Sequence, residues 1–493
     1  MRNNSFTEED IYKVLKESFG ADEFRSSQKE IIMRTLNGGN SLVLMPTGMG
    51  KSLCYQLPAL LLEGLTVVIS PLIALMKDQV DSLKKLGVNA AFVNSSLMRS
   101  EREDRYRRIK SGDYKILYVS PERFRKKDFL EVIKQREISL LALDEAHCVS
   151  QWGNDFRPDY SRIGEFREIM GKPVTVALTA TATPVVQRDI IAKTGIPADE
   201  IKVFNEGICR PNLRLSVHDV IDEEEKFNII HKMVKKCNGT AIVYFSLIKS
   251  LDRFAKFLDM KREKYSVYHG RLSPERKKKV QRDFMELKAP LMLATNAFGM
   301  GIDRPDIRMI IHAELPDSIE SYYQEIGRGG RDGLPSECSL IYLRDDIEIQ
   351  IDFLRWRNPD AGFIKKTHVL LKKLGDAVNS YSYEELQEQL VYKRRDDHRL
   401  QTVLNIFDMY GVTEGSLDAG NLKTVAEVPE EILAESFISE KIERDRKRLI
   451  DMVNYASGDE CRRTAIYRYF DIKDYSCGNC DICGEESGHC EEQ

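Results

Sequence analysis

The stretch ISLLALDEAHCVSQWGNDFRPDY, residues 138–160, decides which fold this sequence predicts. It begins as an almost unbroken apolar run and then places two carboxylates side by side, Asp144 and Glu145. A buried parallel strand delivers acids to a nucleotide site in this way, at its carboxyl end. Trp152, Phe156 and Arg157 follow closely, and they are residue types that stack on bases and bind phosphates. The sequence therefore places acid chemistry beside a candidate nucleic-acid contact.

On both sides of this stretch, strand-like apolar runs alternate with longer helical patterns. The runs of a first series are 41–45, 66–70, 90–93, 116–119, 140–144 and 174–178. Those of a second series are 240–245, 265–268, 291–295, 309–312 and 338–343. Such alternation predicts parallel sheets with helices on both faces, and hence an α/β fold with two sheets. Residues 207–212 are interpreted as the linker between them.

Length, charge and hydropathy limit the classes of protein to which this chain can belong. At about 150 residues per domain, 493 residues suggest roughly three domains. The net charge of −4 excludes a uniformly basic protein, so nucleic-acid contacts would come from local clusters. No apolar run is long enough to cross a bilayer, and the first ten residues are polar and acidic, unlike a secretory signal. We expect a cytoplasmic protein that does not contact membranes.

After residue 346 the sequence becomes helical and charged. Helical patterns at 363–374, 383–391 and 395–410 are followed by two short segments, 411–415 and 422–426, that could pair as a hairpin. Three helices and a hairpin outline a winged helix, whereas a helical spacer is the alternative. Lys393, Arg394, Arg395 and Arg399 would contact DNA in the first interpretation and form a solvated face in the second.

The segment MPTGMGKS, residues 45–52, lies between a strand-like run and a helical pattern and is typical of a phosphate-binding loop. Glycines let the backbone wrap around phosphate, and a helix N-terminus directs N–H groups at it. Lys51 would neutralise the β- and γ-phosphates, and the Ser52 hydroxyl would ligate Mg²⁺. The strict pattern has glycine where Met45 stands, so the interpretation depends on the Gly-Lys-Ser end and on the acid pair. The alternative is a tight turn with an incidental lysine.

Further candidate catalytic residues are the acid pair and two arginines. Asp144 fits a Mg²⁺ ligand, and Glu145 fits the residue that orients or deprotonates the attacking water. Arg328 and Arg331 lie in the glycine-rich segment QEIGRGGRDG, residues 324–333. Arginine suits developing phosphoryl charge because it is planar, permanently charged and multidentate. A solvated surface pair is the alternative.

Five of the ten cysteines fall in the last 33 residues. Cys461, Cys477, Cys480 and Cys483 offer four thiolates, three of them at C-x₂-C-x₂-C spacing, which indicates a structural Zn²⁺ site. Free thiols and an iron–sulfur cluster are the alternatives, and His489 and Cys490 are spare ligands. We expect the metal to clamp a helix over residues 455–470 onto a DNA-facing platform.

These motifs together resemble the RecQ family of superfamily 2 DNA helicases, over about residues 10–345 and again over about 440–485. The resemblance is carried by segments 24–28, 45–52, 69–79, 118–123, 178–183, 294–303 and 324–333, by the DEAH box with the aromatic-rich loop at 144–160, and by the cysteine run at 477–483. Departures from the family pattern are the absence of an aromatic before Phe24, Asn154 in the aromatic-rich loop and Gly329 in the last motif.

The resemblance implies two tandem RecA-like lobes, 1–206 and 207–345, and a helical zinc-binding region, 346–493, with a winged-helix-like insertion at 362–430. Ten residues follow Cys483, so we expect a short form without the family's C-terminal winged-helix and HRDC domains. It also implies ATP-driven 3′→5′ translocation on single-stranded DNA, with duplex unwinding in repair or recombination. The organism is expected to be bacterial and the protein to associate with the nucleoid.

The resemblance assigns residues to ligands. The expected ATP-binding residues are Arg25, Gln28, Thr47, Gly48, Met49, Gly50, Lys51, Ser52, Asp303 and Gln324. The expected DNA-binding residues are Lys77, Trp152, Phe156, Arg157, Thr295 and Asn296. Expected partners are single-stranded, forked and tailed DNA, with single-stranded DNA-binding protein as a further candidate, and the chain is expected to be a monomer. The alternatives are an RNA helicase or double-strand translocase, and a zinc-containing DNA-binding or annealing scaffold with a vestigial ATP site.

Overall fold

The computed structural model describes residues 6–484 except 72, 95–96, 151–157, 287–289, 300–303, 391–396, 418–419 and 473–476. Two parallel sheets, each covered by helices, form the two lobes predicted from the alternating pattern. A helical region follows them. None of the described helices combines the length and apolar composition that a bilayer span requires.

Lobe 1 is built on a seven-stranded parallel sheet of order β3-β4-β2-β5-β6-β1-β7. Its helices and strands, in chain order, are α1 (Glu8–Phe19), α2 (Gln28–Leu36), β1 (Asn40–Leu44), α3 (Leu53–Leu61), β2 (Leu65–Ile69), α4 (Ile73–Lys85), β3 (Ala90–Val93), α5 (Arg99–Ser111), β4 (Ile116–Val119), α6 (Lys127–Ile133), β5 (Ile138–Leu143), α7 (Ile163–Ile169), β6 (Val174–Thr179), α8 (Pro184–Thr194) and β7 (Ile201–Asn205). The central strands β1, β2 and β4 are buried throughout, as parallel strands covered on both faces must be.

Lobe 2 is built on a six-stranded parallel sheet of order β10-β11-β9-β12-β13-β8. Its helices and strands are β8 (Leu213–Val220), α9 (Glu223–Lys236), β9 (Thr240–Tyr244), α10 (Ile248–Met260), β10 (Ser266–Tyr268), α11 (Pro274–Met285), β11 (Leu291–Ala294), β12 (Ile307–His312), α12 (Ile319–Ile326) and β13 (Ser336–Leu343). The apolar runs did not predict β7 and β8. Both are sheet-edge strands with polar residues at exposed positions, such as Lys202 and Asn205 in β7 and Asp219 in β8, and these interrupt the apolar signal.

The region after lobe 2 begins with α13 (Ile347–Arg357) and continues into a unit with its own apolar core, here called the accessory unit, residues 361–433. Its elements are α14 (Ala361–Leu374), α15 (Tyr383–Leu390), α16 (Arg399–Met409), β14 (Thr413–Glu414), β15 (Lys423–Thr424) and α17 (Glu430–Leu433). Strands β14 and β15 pair antiparallel, so the predicted three helices and hairpin are present.

Two helices, α18 (Glu435–Ser457) and α19 (Arg462–Tyr469), lead to the cysteine run. The expected single helix over residues 455–470 is wrong, because the chain turns extended at Gly458 (ψ 162°). The Arg462 guanidinium then donates to Tyr455 O (2.9 Å) and Gly458 O (2.8 Å), which satisfies carbonyls at the end of α18. Both helices share one apolar core with the lobe 2 sheet.

Candidate functional site

The phosphate loop, residues 45–52, joins β1 to α3 at the carboxyl edge of the lobe 1 sheet. Gly48 and Gly50 have φ values of +86° and +78°, a backbone region that favours glycine. A Cβ at Gly48 would lie 3.3 Å from Arg331 Cγ, so lobe 2 closes directly over the loop. Lys51 Nζ donates to Met45 O (3.0 Å), so the ammonium group lies against the backbone of the same loop.

Gln28 and Arg25 attach the N-terminal segment to this loop. The Gln28 side chain is 2% exposed, and its Nε2 donates to Met49 O (2.9 Å) and Gly50 O (3.2 Å). Its Oε1 accepts from the Arg25 backbone N–H (2.8 Å), while Arg25 Nη1 donates to Gly48 O (3.2 Å). Both polar atoms of the Gln28 side chain therefore already form hydrogen bonds within the protein, and any contact of Gln28 with adenine would use these same atoms.

The acid pair follows β5 at the same edge of the sheet. Asp144 Oδ2 accepts from Ser70 Oγ (3.2 Å), and Asp144 Oδ1 accepts from the Glu145 N–H (3.1 Å). Burial and the adjacent Glu145 charge raise the pKa of Asp144 above its usual range. A buried carboxylate whose charged form is disfavoured fits a site that a cation completes, and oxygen ligands suit Mg²⁺. Ser52 and Asp144 would hold that ion.

Glu145 has a left-handed backbone (φ +48°), which is uncommon outside glycine and occurs at functional sites. Its Oε2 lies 3.3 Å from His147 Nδ1. Burial alone would raise the pKa of Glu145, but the neighbouring His147 and the charges of Lys51 and Arg328 lower it below its usual range. Glu145 is thus held as a carboxylate, the form that accepts a proton or orients water.

A chain of polar contacts leads from Glu145, through His147, across to lobe 2. His147 Nδ1 lies 3.0 Å from Thr179 Oγ1, which itself donates to Thr181 O (3.0 Å). From lobe 2, Gln324 Nε2 donates to Thr181 Oγ1 (3.5 Å). The predicted segments 144–147, 178–183 and 324–333 therefore meet at the interface between the lobes.

The arginine loop, residues 327–331, follows α12 and faces the phosphate loop. Thr47 Oγ1 donates to Gly327 O (3.0 Å), which connects the two loops directly. Arg328 Nη1 donates to Gly299 O, and Arg328 Nε has no hydrogen-bond partner among the described residues although it is buried. A buried guanidinium N–H without a partner is costly and suits an anionic ligand.

The four predicted cysteines form a second site. Their Sγ atoms all lie within 4.8 Å of one another, and Cys461 Sγ is 3.6 Å from Cys477 Sγ. The S–S edge of a tetrahedral zinc site is about 3.8 Å for Zn–S bonds of about 2.3 Å, so the donor set fits Zn²⁺. His489 and Cys490, the spare ligands of the prediction, lie outside the described residues.

The cysteine run completes the edge of the lobe 2 sheet. Cys480 bridges to Leu215 of β8, the Asp481 N–H donates to Leu215 O (3.0 Å), and Asp481 Oδ2 accepts from the Val217 N–H (2.8 Å). Arg462 Nε donates to Asp481 Oδ1 (3.0 Å) from a side chain that is 7% exposed. A metal bound by these cysteines would therefore hold the cysteine run against β8, the edge strand of the lobe 2 sheet.

Comparisons with known proteins agree with this geometry. The family model for DEAD/DEAH box helicases matches residues 25–189, that for the helicase conserved C-terminal domain matches 225–333, and that for RecQ zinc-binding matches 429–484. The probable ATP-dependent DNA helicase RecS of Bacillus subtilis is 35% identical over 481 residues, 96% of this chain and 92% of that protein. ATP-dependent DNA helicase RecQ of the same organism is 42% identical over 381 residues. The chain belongs to the RecQ family of ATP-dependent DNA helicases.

The match to B. subtilis RecQ covers 77% of this chain and 63% of that protein, so the chain spans less than two thirds of its length. Two solved structures share the two-lobe fold. The MrfA helicase bound to DNA and AMPPNP has a TM-score of 0.58 at 18% identity, over 71% of this chain and 52% of that one. Saccharomyces cerevisiae Dbp5 bound to RNA and ADP BeF3 has a TM-score of 0.55 at 18% identity, over 69% of this chain and 89% of that one.

The structure places only some of the RecQ residues expected to bind DNA. Lys77 is exposed on α4, and Asn296 is exposed just after β11, whereas Thr295 is 6% exposed. Trp152, Phe156 and Arg157 lie outside the described residues, as does Asp303 of the expected ATP set. Tyr160, the last residue of the aromatic-rich loop, donates its hydroxyl to Asp144 O (3.1 Å), so this loop ends against the acid pair.

The accessory unit docks on lobe 1 beside the same loop. Arg125 Nε donates to Asp159 Oδ1 (2.6 Å), and its Nη atoms donate to Asp408 O and Met409 O (2.6 Å each) at the end of α16. Arg399 Nη2 donates to Asp397 Oδ2 (2.7 Å), a contact inside the unit. Lys393, Arg394 and Arg395 lie outside the described residues.

Sequence reasoning missed the contacts of Arg210 and Asn212. The segment containing them is interpreted from sequence only as a linker, yet both side chains donate to carbonyls of the arginine loop. Nothing in the local pattern of a single sequence indicates this, because the partners are more than 100 positions away.

Proposed function

We propose that this chain is a DNA-stimulated ATPase that translocates 3′→5′ on single-stranded DNA and unwinds duplexes during repair or recombination. The observation that carries the proposal is the meeting of two loops from different lobes: Arg331 of lobe 2 lies against Gly48 of the phosphate loop, opposite the acid pair. A site divided between two lobes is closed or opened by lobe movement, which is how hydrolysis can be coupled to translocation.

Bound ATP with Mg²⁺ would supply the phosphoryl group and the charge neutralisation on which the site acts. Lys51 and the backbone of residues 47–50 bind its phosphates, and Ser52 and Asp144 hold the ion. Glu145 accepts the proton of the attacking water or orients it, with His147 fixing the carboxylate. Arg328 and Arg331 stabilise charge that develops on the transferred group. Arg25, Gln28, Gln324 and Asp303 complete nucleotide binding.

DNA would cross the carboxyl edges of both sheets, where Lys77 and Asn296 are exposed. Thr295 directly precedes Asn296, and Trp152, Phe156 and Arg157 follow the acid pair in the sequence; we assign all four to the same DNA-binding set. Zn²⁺ on the four cysteines is a folding element in this proposal. We further propose a monomer that acts on forked or tailed DNA in the bacterial cytoplasm, at the nucleoid, with single-stranded DNA-binding protein as a candidate partner. The proposed domains are lobe 1 at 1–206, lobe 2 at 207–345 and a helical zinc-binding region at 346–493, with an inserted winged-helix-like unit at 362–430.

Strand displacement tests the proposal directly. With ATP and Mg²⁺, we expect duplexes with a 3′ single-stranded tail and forked duplexes to be separated and 5′-tailed duplexes to remain intact. Single-stranded DNA should stimulate ATP turnover more than duplex DNA or RNA. Lys51→Ala is the control that removes the phosphate contact and should abolish both activities. ATP turnover at background with every DNA would instead support the scaffold with a vestigial ATP site.

Trp152→Ala should retain basal ATP turnover and lose its stimulation by single-stranded DNA. Base stacking on an aromatic side chain contributes about 1–3 kcal/mol per base, and the loop that carries Trp152 adjoins the acid pair through Tyr160. The matched control is Trp356→Ala, since the chain has two tryptophans and Trp356 packs on Phe353 in α13 (5.3 Å between ring centroids). If single-stranded DNA still stimulates ATP turnover in Trp152→Ala, this residue does not couple DNA binding to hydrolysis.

A further inference from the structure

Arg210, in the linker between β7 and β8, binds both lobes at once. Its Nη1 donates to Thr47 O (3.2 Å) of the phosphate loop and to Gly327 O (3.1 Å) of the arginine loop. Its Nη2 donates to Gly329 O (2.6 Å) and Gly330 O (3.1 Å). One guanidinium therefore fixes three carbonyls of the loop that carries Arg328 and Arg331, together with one carbonyl of the opposite lobe.

The four carbonyls are the hydrogen-bond partners of this half-buried cation, and among the described residues no carboxylate forms an ion pair with Arg210. Burial lowers the pKa of Arg210, and the neighbouring Arg331 charge acts in the same direction. A partly desolvated charge needs hydrogen bonds to compensate for the water that it has lost, so the carbonyl positions and the guanidinium position depend on each other.

Asn212 and Gly330 tighten the same arrangement. Asn212 Nδ2 donates to Gly330 O (2.8 Å) and Leu334 O (2.9 Å). Gly330 has φ +51°, and a Cβ at this position would lie 2.4 Å from Asn212 Nδ2. The linker therefore contributes to the shape of the arginine loop, together with the helix α12 that precedes it.

The zinc-binding segment in turn holds the linker. Asn479, between two of the cysteines, donates from Nδ2 to Pro211 O (3.0 Å), and Arg463 of α19 donates from Nη2 to Leu213 O (2.8 Å). The Asn479 N–H points to Cys477 Sγ (3.4 Å), so its position depends on the cysteine cluster. Arg463 is 5% exposed, and its contact is fully inside the protein.

We propose that Arg210 is a positioning residue that holds the arginine loop against the phosphate loop. We also propose that the zinc-binding segment, through Asn479 and Arg463, holds the linker and therefore Arg210 in place. The proposal rests on the ATPase function proposed above and adds a connection from the cysteine cluster to the γ-phosphate side of the site. The cluster then influences hydrolysis through the linker, separately from any contact it makes with DNA.

Arg210→Ala should lower the DNA-stimulated kcat for ATP by about 10²-fold, because displacement of a catalytic group by about 1 Å has an effect of that order. KM for ATP should change little, since Lys51 and the phosphate loop remain. Arg210→Lys should recover only part of kcat, because an ammonium keeps the charge but lacks the planar fork that reaches both lobes. Equal losses in both variants, with a lowered Tm and no separation of kcat from KM, would show a merely structural role and overturn the proposal.

Asn479→Ala tests the connection to the cysteine cluster. We expect unchanged zinc content and a loss in kcat of about fivefold, the effect of one neutral hydrogen bond. In the double variant with Arg210→Ala, the loss should equal that of Arg210→Ala alone, because both changes act on one path. If the loss of kcat in the double variant equals the product of the two single losses, Asn479 acts independently of Arg210, which would overturn this part of the proposal.

Matched controls remove similar bonds at other places. Arg34 donates to Asn40 O (2.9 Å) and Glu200 O (3.3 Å), and Asn379 Nδ2 donates to Asp376 O (3.2 Å) and Leu422 O (3.1 Å). Arg34→Ala and Asn379→Ala should leave kcat and KM unchanged. Loss of kcat in these controls as large as in the test variants would contradict the proposed path.

Hydrogen exchange separates failure of this proposal from failure of the proposed function. If the unaltered chain hydrolyses no ATP, the function proposal fails, but amide exchange still reports the arginine loop. The Gly330 N–H donates to Ile307 O (2.9 Å), and we expect it to exchange faster in Arg210→Ala than in the unaltered chain. Unchanged exchange across residues 327–331 would overturn the positioning role whatever the activity.

Discussion

Replacing Glu145 by glutamine should lower ATP turnover by about 10²–10⁴-fold while ATP binding persists, the range expected for loss of a general base. Glutamine keeps the shape of the side chain and its contact with His147, but it lacks the carboxylate that accepts a proton. The phosphate loop and Asp144 are untouched, so nucleotide affinity should stay close to that of the unaltered chain. Single-turnover hydrolysis and equilibrium binding of a fluorescent ATP analogue measure the two quantities separately.

The chain provides a closely matched control for this variant. Glu263 Oε1 lies 3.0 Å from His231 Nε2 in lobe 2, so it forms a glutamate–histidine pair outside the ATP site. Glu263→Gln should leave turnover unchanged. If Glu145→Gln hydrolyses ATP at the normal rate, the water-activating role belongs to another residue, and the assignment of the acid pair is wrong.

Loss of the metal should have the second large effect. Cys480→Ser should abolish stoichiometric zinc and lower the free energy of unfolding by several kcal/mol, because the binding free energy of a structural metal contributes directly to folding. The reason is the position of the ligands: Cys477 and Cys480 lie in the lobe 2 core, and the loop between them and Gly484 covers the edge strand β8. Metal analysis and denaturant unfolding measure both changes.

Cys338→Ser is the control, because Cys338 is equally buried in lobe 2 but lies outside the cluster. It should keep its zinc and lose only about 1–3 kcal/mol, as expected for a buried hydroxyl without a good partner. A purified chain without zinc that unfolds at the same denaturant concentration and still unwinds DNA would refute the structural role. Visible absorbance typical of an iron–sulfur cluster would refute the choice of metal.

The docking of the accessory unit changes how this region is interpreted. The sequence pattern allowed a winged helix or a spacer, and the structure shows the three helices and the hairpin around one core. However, the end of α16 is bound by Arg125 of lobe 1, and Arg399 at its start is bound by Asp397. The Arg125 contact joins the unit to Asp159, close in sequence to the DNA-sensing candidates Phe156 and Arg157.

The sequence by itself determined the two sheets, the phosphate loop, the acid pair, the arginines and the four cysteines. Each of these depends on local information: apolar alternation specifies buried parallel strands, and short spacings specify phosphate or metal chemistry. The edge strands β7 and β8 and the break at Gly458 escaped this reasoning. Polar residues interrupt the apolar pattern at a sheet edge, and the end of α18 is satisfied by a side chain, Arg462 at the start of α19, rather than by a local sequence signal for a helix end.

Only the tertiary structure decided which loops meet. Arg210 contacts the phosphate loop 163 positions before it and the arginine loop 117 positions after it, and Asn479 contacts Pro211 across 268 positions. No pattern in a single sequence encodes such pairs, since they arise when two lobes and the cysteine cluster are packed around a common linker. The residues that perform the chemistry are therefore legible in the sequence, whereas those that hold them in place depend on the packing of the folded chain.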